Sequence, residues 1–135
     1  MVSPWGMNEI ALPIALVGVM PYVLTGIAKS RGFGPKENER TREWQAGLTG
    51  WQKRATWAHQ NSFEAFPLFA ALAILASLTR PGSVVTLGAA WAFVALRVAY
   101  AACYLADAGR LRSLVWVASQ GAVLALLLVA MSVVG

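Results

Sequence analysis

At 135 residues the chain has room for one domain, and with 58% hydrophobic and only 13% charged residues that domain is not a water-soluble one, since soluble domains carry roughly 25% charged residues. Mean hydropathy is +0.58. The glycines show no three-residue period and Cys103 is the only cysteine, so collagen, low-complexity disorder and a disulfide scaffold are excluded too. A pI near 10.0 with net charge +5 would suit nucleic acid only if the basic residues formed a face, so their positions decide the matter.

Four apolar stretches approach the ~20 residues that cross a bilayer. They run Glu9 to Ala28, Arg54 to Leu78, Ser83 to Ala106 and Ser113 to Val134. The first reads as a span rather than a secretory signal, because Met1 to Asn8 carries no Lys or Arg and no small-x-small cleavage site precedes a soluble domain. Thr79-Arg80-Pro81-Gly82 separates the second and third stretches, and Asp107 to Arg112 the third and fourth. Such short links force antiparallel neighbours. The expected fold is therefore an all-α integral membrane protein, an up-down four-transmembrane-helix bundle occupying residues 1–135 as a single domain.

Lys29, Arg31, Lys36, Arg40, Arg42, Lys53 and Arg54 lie in or beside the first loop, and Arg110 and Arg112 in the third, so nine of eleven basic residues flank one side of the membrane. Under the positive-inside rule that side is the cytoplasm and both termini face the periplasm or lumen. The basic pI is thus a topology signal, and no nucleic-acid partner is expected. Trp44, Trp51, Trp57 and Trp116 gather near the inner ends of spans and Trp5 near the outer face, as interfacial anchors do.

The first loop is the only long soluble segment. Gly32-Phe33-Gly34-Pro35 reads as a turn, and Lys36 to Gln45 as a short surface helix carrying a Glu39–Arg42 pair. No Gly-Lys-Ser/Thr ending or preceding strand makes it a phosphate loop. It is expected to be a solvated connector.

Within the spans a few side chains cost free energy that an anchor would avoid. Asn61 and Glu64 lie in the second span, Arg97, Tyr100 and Tyr104 in the third. Ionisable groups in hydrocarbon cost several kcal/mol unless they face the bundle interior and find partners. Arg54, Asn61, Glu64 and Leu68 share one helical stripe, and Arg97, Tyr100 and Tyr104 another. At ~1.5 Å rise per residue Glu64 lies roughly 15 Å and Arg97 roughly 14 Å from the basic side. Opposite charges at one depth on neighbouring helices predict a Glu64–Arg97 ion pair. Asn61 and Tyr100 come at about 10 Å, with Tyr104, Arg112 and Ser113 nearer the mouth. The set predicts a polar cleft opening to the basic side.

His59, about 200° around the helix from Asn61, is expected to be a hydrogen-bonded packing residue, and Cys103 a small buried one. One His, one thiol and one deep carboxylate build no metal site. Small residues at Gly18, Gly26, Ala70, Ala71, Ala89 and Ala90 would permit close helix contact. Pro67 should free the carbonyl of Phe63 and kink the second helix, as Pro13 and Pro21 should the first.

The string AHQNSFEAFPLF, followed by RVAYAACYLADAGRLRS, resembles the MAPEG family, membrane-associated proteins of eicosanoid and glutathione metabolism. Asn61, Glu64 and Pro67 carry its Asn-x-x-Glu-x-x-Pro core; Arg97, Tyr100 and Tyr104 its Arg-x-x-Tyr-x-x-x-Tyr element; Arg112 and Ser113 the Arg-Ser opening of the last helix. Trp57, Gln60 and Trp116 stand where members of the family carry Arg, Arg and Tyr. The resemblance covers roughly Arg54 to Gln120 and is to the microsomal glutathione transferase type.

It implies a homotrimer with glutathione between subunits on the cytosolic side, and conjugation or reduction of a lipophilic small-molecule substrate among membrane lipids. A bacterial member in the inner membrane is expected. By the resemblance Asn61, Glu64, Arg97, Tyr100 and Tyr104 would hold the tripeptide, while Arg112 and Ser113 would be catalytic, stabilising its thiolate. Because the family includes lipid-binding helpers without glutathione chemistry, a non-catalytic accessory protein or a subunit of a larger membrane assembly stays open as the alternative.

Overall fold

The computed structural model describes the backbone from Pro4 to Gly135 and side chains from Glu9 onward, so the expected anchoring by Trp5 lies outside the described residues. Four long helices are apolar enough to span a bilayer. They are α1 (Pro4–Ala28), α4 (Gly50–Thr79), α5 (Val84–Leu105) and α6 (Gly109–Ala130), with two short helices, α2 (Pro35–Glu39) and α3 (Thr41–Ala46), in the first loop. The chain is an integral membrane four-helix protein.

Residue pairings fix the directions. Gln52 Nε2 donates to Ala28 O at 2.9 Å and His59 Nδ1 to Pro21 O at 2.7 Å, so α1 and α4 run antiparallel. Arg54 Nη2 on Leu105 O at 3.2 Å and Phe69 stacked on Phe93 at 4.2 Å do the same for α4 and α5. Thr79 Oγ1 donates to Ala130 O, which sets α4 parallel to α6. Helices α4 and α5 form the centre, with α1 on one flank and α6 on the other; α1 and α6 do not touch among the described residues.

Close packing rests on small side chains where the helices meet. Ala73, Ala76 and Ala90 are fully buried around the Phe69–Phe93 stack. Gly18 lies against Phe66, where a β-carbon would stand 3.2 Å from the ring edge, tighter than an ordinary contact, so a side chain there would press on the ring. Ala89 and Ala90 are buried as expected, but Gly26 has nothing within 4 Å and Ala71 is exposed. Cys103 is buried.

The turns follow backbone chemistry. Gly82, at φ 75°, reverses the chain between α4 and α5, and Ser83 caps α5 by accepting from Thr86 N at 3.2 Å. Asp107 takes φ 59° between α5 and α6, a conformation Asp tolerates better than most residues.

Several boundaries differ from expectation. Helix α4 starts at Gly50, before Arg54, and at 30 residues is ~45 Å long, more than the ~30 Å hydrocarbon core needs. Its first turns carry Gln52, Lys53 and Arg54, and the apolar residues follow them. Helix α6 starts at Gly109 rather than Ser113 and ends at Ala130. The expected surface helix over Lys36–Gln45 is two helices broken at Arg40, whose φ of −134° and ψ of 54° leave the helical region. That break replaces the Glu39–Arg42 pair with Arg40–Glu43 at 3.6 Å, too exposed to contribute much stability. Helices α1 and α4 run unbroken through their prolines.

Candidate functional site

The polar residues of α4 and α5 meet, but not in the expected pairing. Arg97 is 1% exposed, and its Nη2 donates to Asn61 Oδ1 at 2.6 Å. No ion pair joins it to Glu64 among the described residues. Equal depth did not imply facing: Asn61 points at α5, and Glu64, three residues on and about 60° around the helix, is exposed at the protomer surface.

Arg97 Nε and Nη1 are buried and have no hydrogen-bond partner among the described residues. A guanidinium carries five N–H donors, so this one is largely unsatisfied by its own protomer. Its remaining support is aromatic: Arg97 Cζ lies 4.3 Å from the centre of the Tyr100 ring. Tyr100 meets Tyr104 edge to face at 5.3 Å, and Arg112 Cζ lies 4.3 Å over Tyr104. Asn61, Arg97, Tyr100, Tyr104 and Arg112 therefore form one continuous ladder, from mid-helix to the start of α6. The i, i+3, i+7 spacing on α5 builds its middle rungs.

Beside the ladder lies a cavity of about 280 Å³ between α4 and α6, floored by Phe93 of α5. Asn61 and Glu64 line it, with Trp116 and Gln120 across from them. Trp116 is 45% exposed and forms a wall of this cleft, so the purely interfacial role expected for it is incomplete. Gln120 was not foreseen; its signal was present as the residue one helical turn beyond Trp116 on the same face.

Ser113 departs from its expected place. Since α6 begins at Gly109, Ser113 is already in the second turn, and its hydroxyl donates to Gly109 O at 3.2 Å. Arg54, on the predicted α4 stripe, turns instead to cap the C-terminal carbonyl of α5 at Leu105. His59 is the packing residue anticipated: because a carbonyl only accepts, its bond to Pro21 O places the proton on Nδ1.

In charge, the ladder and cleft combine two guanidinium groups and one carboxylate within a polar wall that rises from one end of the bundle to its middle. Such a set suits a zwitterionic ligand with more than one anionic group. Comparison with curated proteins and with solved structures gives no match. The MAPEG family model matches residues 10–132, nearly the whole chain and both motif regions, and the chain belongs to the MAPEG family.

Proposed function

We propose that the protein is a glutathione-dependent membrane transferase or peroxidase acting on lipophilic electrophiles that reach it from the bilayer. The observation that carries this reading is Arg97: a fully buried cation with two unpartnered donor atoms, next to Asn61 and linked by two tyrosines to Arg112. Glutathione has two carboxylates and one ammonium; the cleft region has two guanidinium groups and one carboxylate. The free Arg97 donors suit a carboxylate, and Glu64 suits the ammonium.

Bound there, glutathione supplies a thiol that attacks an electrophilic carbon or reduces a hydroperoxide. A thiol near pKa 8.5 is mostly protonated at neutral pH. Arg112, three residues into α6 and next to the orphan N–H groups of its first turn, favours the anion by charge and by helix dipole. Asn61, Tyr100 and Tyr104 orient the tripeptide. The hydroxyl of Ser113 must rotate away from Gly109 O before it can serve the sulfur.

The family trimer also fits. Glu64 is exposed on the protomer at mid-span, where lipid contact with a carboxylate is costly, and a second copy would cover it. The distribution of Lys and Arg supports a cytoplasmic long basic loop with both termini opposite.

The test is a pH series of thiolate absorbance at saturating glutathione for the purified protein and Arg112→Ala. Arg112→Ala should raise the bound thiol's pKa and slow turnover about 10- to 150-fold, the effect of one charge-assisted contact of ~1.5–3 kcal/mol, while binding changes far less. Equal thiolate pKa values would remove Arg112 from the chemistry. Absence of any thiolate signal in the unaltered protein would select the alternative reading, a non-catalytic lipid-binding member of the family.

A further inference from the structure

The first loop does more than connect α1 to α4. Helix α3 folds back onto the first turns of α4, held by Lys53, whose Nζ donates to Ala46 O at 2.9 Å and Gln45 O at 3.3 Å. Between the two helices lies a cavity of about 460 Å³, separate from the Glu64 cleft and larger than it. Arg42 and Gln45 line it from α3, and Lys53, Trp57, His59 and Gln60 from α4. No carboxylate lines it.

Its two cations are unequal in their engagements. Two donors of Lys53 are committed to the end of α3, leaving one proton of the ammonium free, and this bond fixes the charge at the cavity wall. Arg42 is exposed and enters no hydrogen bond or ion pair among the described residues. His59, on its wall, is tied across to Pro21 of α1.

The cavity also has a direction relative to the bilayer. Lys53 lies in the polar first turns of α4, and Gln60 is seven residues, roughly 10 Å, further along the helix toward its apolar part. Trp57 lies between them, 46% exposed, with Lys53 Nζ 5.9 Å from its ring, as an indole at headgroup depth would be. A small soluble anion would need only the mouth. A wall that is cationic at the mouth, indole-lined below and amide-bearing deeper matches a molecule with a phosphate outermost and ester carbonyls beneath it. We infer that this cavity binds the headgroup of an anionic glycerophospholipid, its phosphate held by Arg42 and Lys53 and its ester region by Trp57 and Gln60.

The test uses the full chain reconstituted in nanodiscs of phosphatidylcholine with or without phosphatidylglycerol, with retained lipid counted by native mass spectrometry. The protein should retain phosphatidylglycerol in preference to phosphatidylcholine, and Arg42→Gln should weaken that retention about fivefold, the value of one basic residue near an anionic surface. Arg42 holds nothing else, so the variant should keep its helical circular dichroism. Arg40→Gln, which removes an exposed cation of the same loop outside the cavity, should leave retention unchanged. Equal losses in the two variants, or no preference in the unaltered protein, would overturn the site. Displacement of the lipid by inorganic phosphate would reassign it to a free anion, and displacement by glutathione would make it part of the thiol site; either overturns the lipid assignment.

Discussion

The Asn61–Arg97 bond is the contact through which α4 and α5 share the burden of a buried charge, and a double-mutant cycle measures it. Asn61→Ala removes the only hydrogen bond that Arg97 makes among the described residues and leaves a 1% exposed guanidinium resting on the Tyr100 ring. A hydrogen bond to a charged group contributes ~1.5–3 kcal/mol, and those within membranes fall toward or below the lower end. The expected coupling is therefore about 1.5 kcal/mol. Arg97→Met keeps most of the stem volume and removes both the charge and its need for a partner, so adding Asn61→Ala to it should cost little more. The assay is reversible unfolding in mixed micelles of mild detergent and dodecyl sulfate, followed by tryptophan fluorescence, for the unaltered chain, both single variants and the double. Additive losses, with coupling inside ~0.5 kcal/mol of zero, would refute the claim that Asn61 supports the buried charge.

Glu64→Gln should leave unfolding unchanged, because Glu64 is exposed and unpaired in the protomer, and should weaken glutathione binding by about 10- to 150-fold in calorimetry if it holds the ammonium. Gly18→Leu should destabilise by ~1–3 kcal/mol through collision with Phe66, whereas Gly26→Leu, with nothing within 4 Å, should be near neutral in the same unfolding assay. A cysteine introduced at Asn38 should be shielded from an impermeant thiol reagent added outside intact cells, while one at the N-terminus reacts; the reverse pattern would invert the orientation.

What the sequence made legible was what depends on spacing along one helix. Hydropathy located all four spans, and the Arg97, Tyr100, Tyr104 spacing put these residues on one stripe of α5 because 3.6 residues per turn fixes which side chains share a face. Rotation between helices was not legible. Depth put Glu64 level with Arg97, yet the turn of α4 about its axis decided that Asn61 faces α5 and Glu64 faces outward. The position of Trp116 opposite Glu64 was not legible for the same reason: it is a relation between α6 and α4 that neither segment records alone. Helix ends outside the hydrocarbon were missed because hydropathy registers apolar length and not hydrogen bonding, so Gly50 to Lys53 and Gly109 to Arg112 read as loop.

The failed ion pair bears on the function. A Glu64–Arg97 pair would have satisfied both charges within one protomer, and such a pair explains itself without any ligand. With Arg97 turned to a neutral amide and Glu64 turned outward, neither charge is neutralised, although both lie on spans where an isolated charge is costly. Natural sequences retain such costs chiefly where something else repays them. The buried cation calls for an anion and the exposed carboxylate for a cation and a cover. One zwitterionic ligand seated beside a second subunit, as proposed, would meet all three demands at once, which is why the separation of these two charges supports a bound ligand more strongly than their pairing would have.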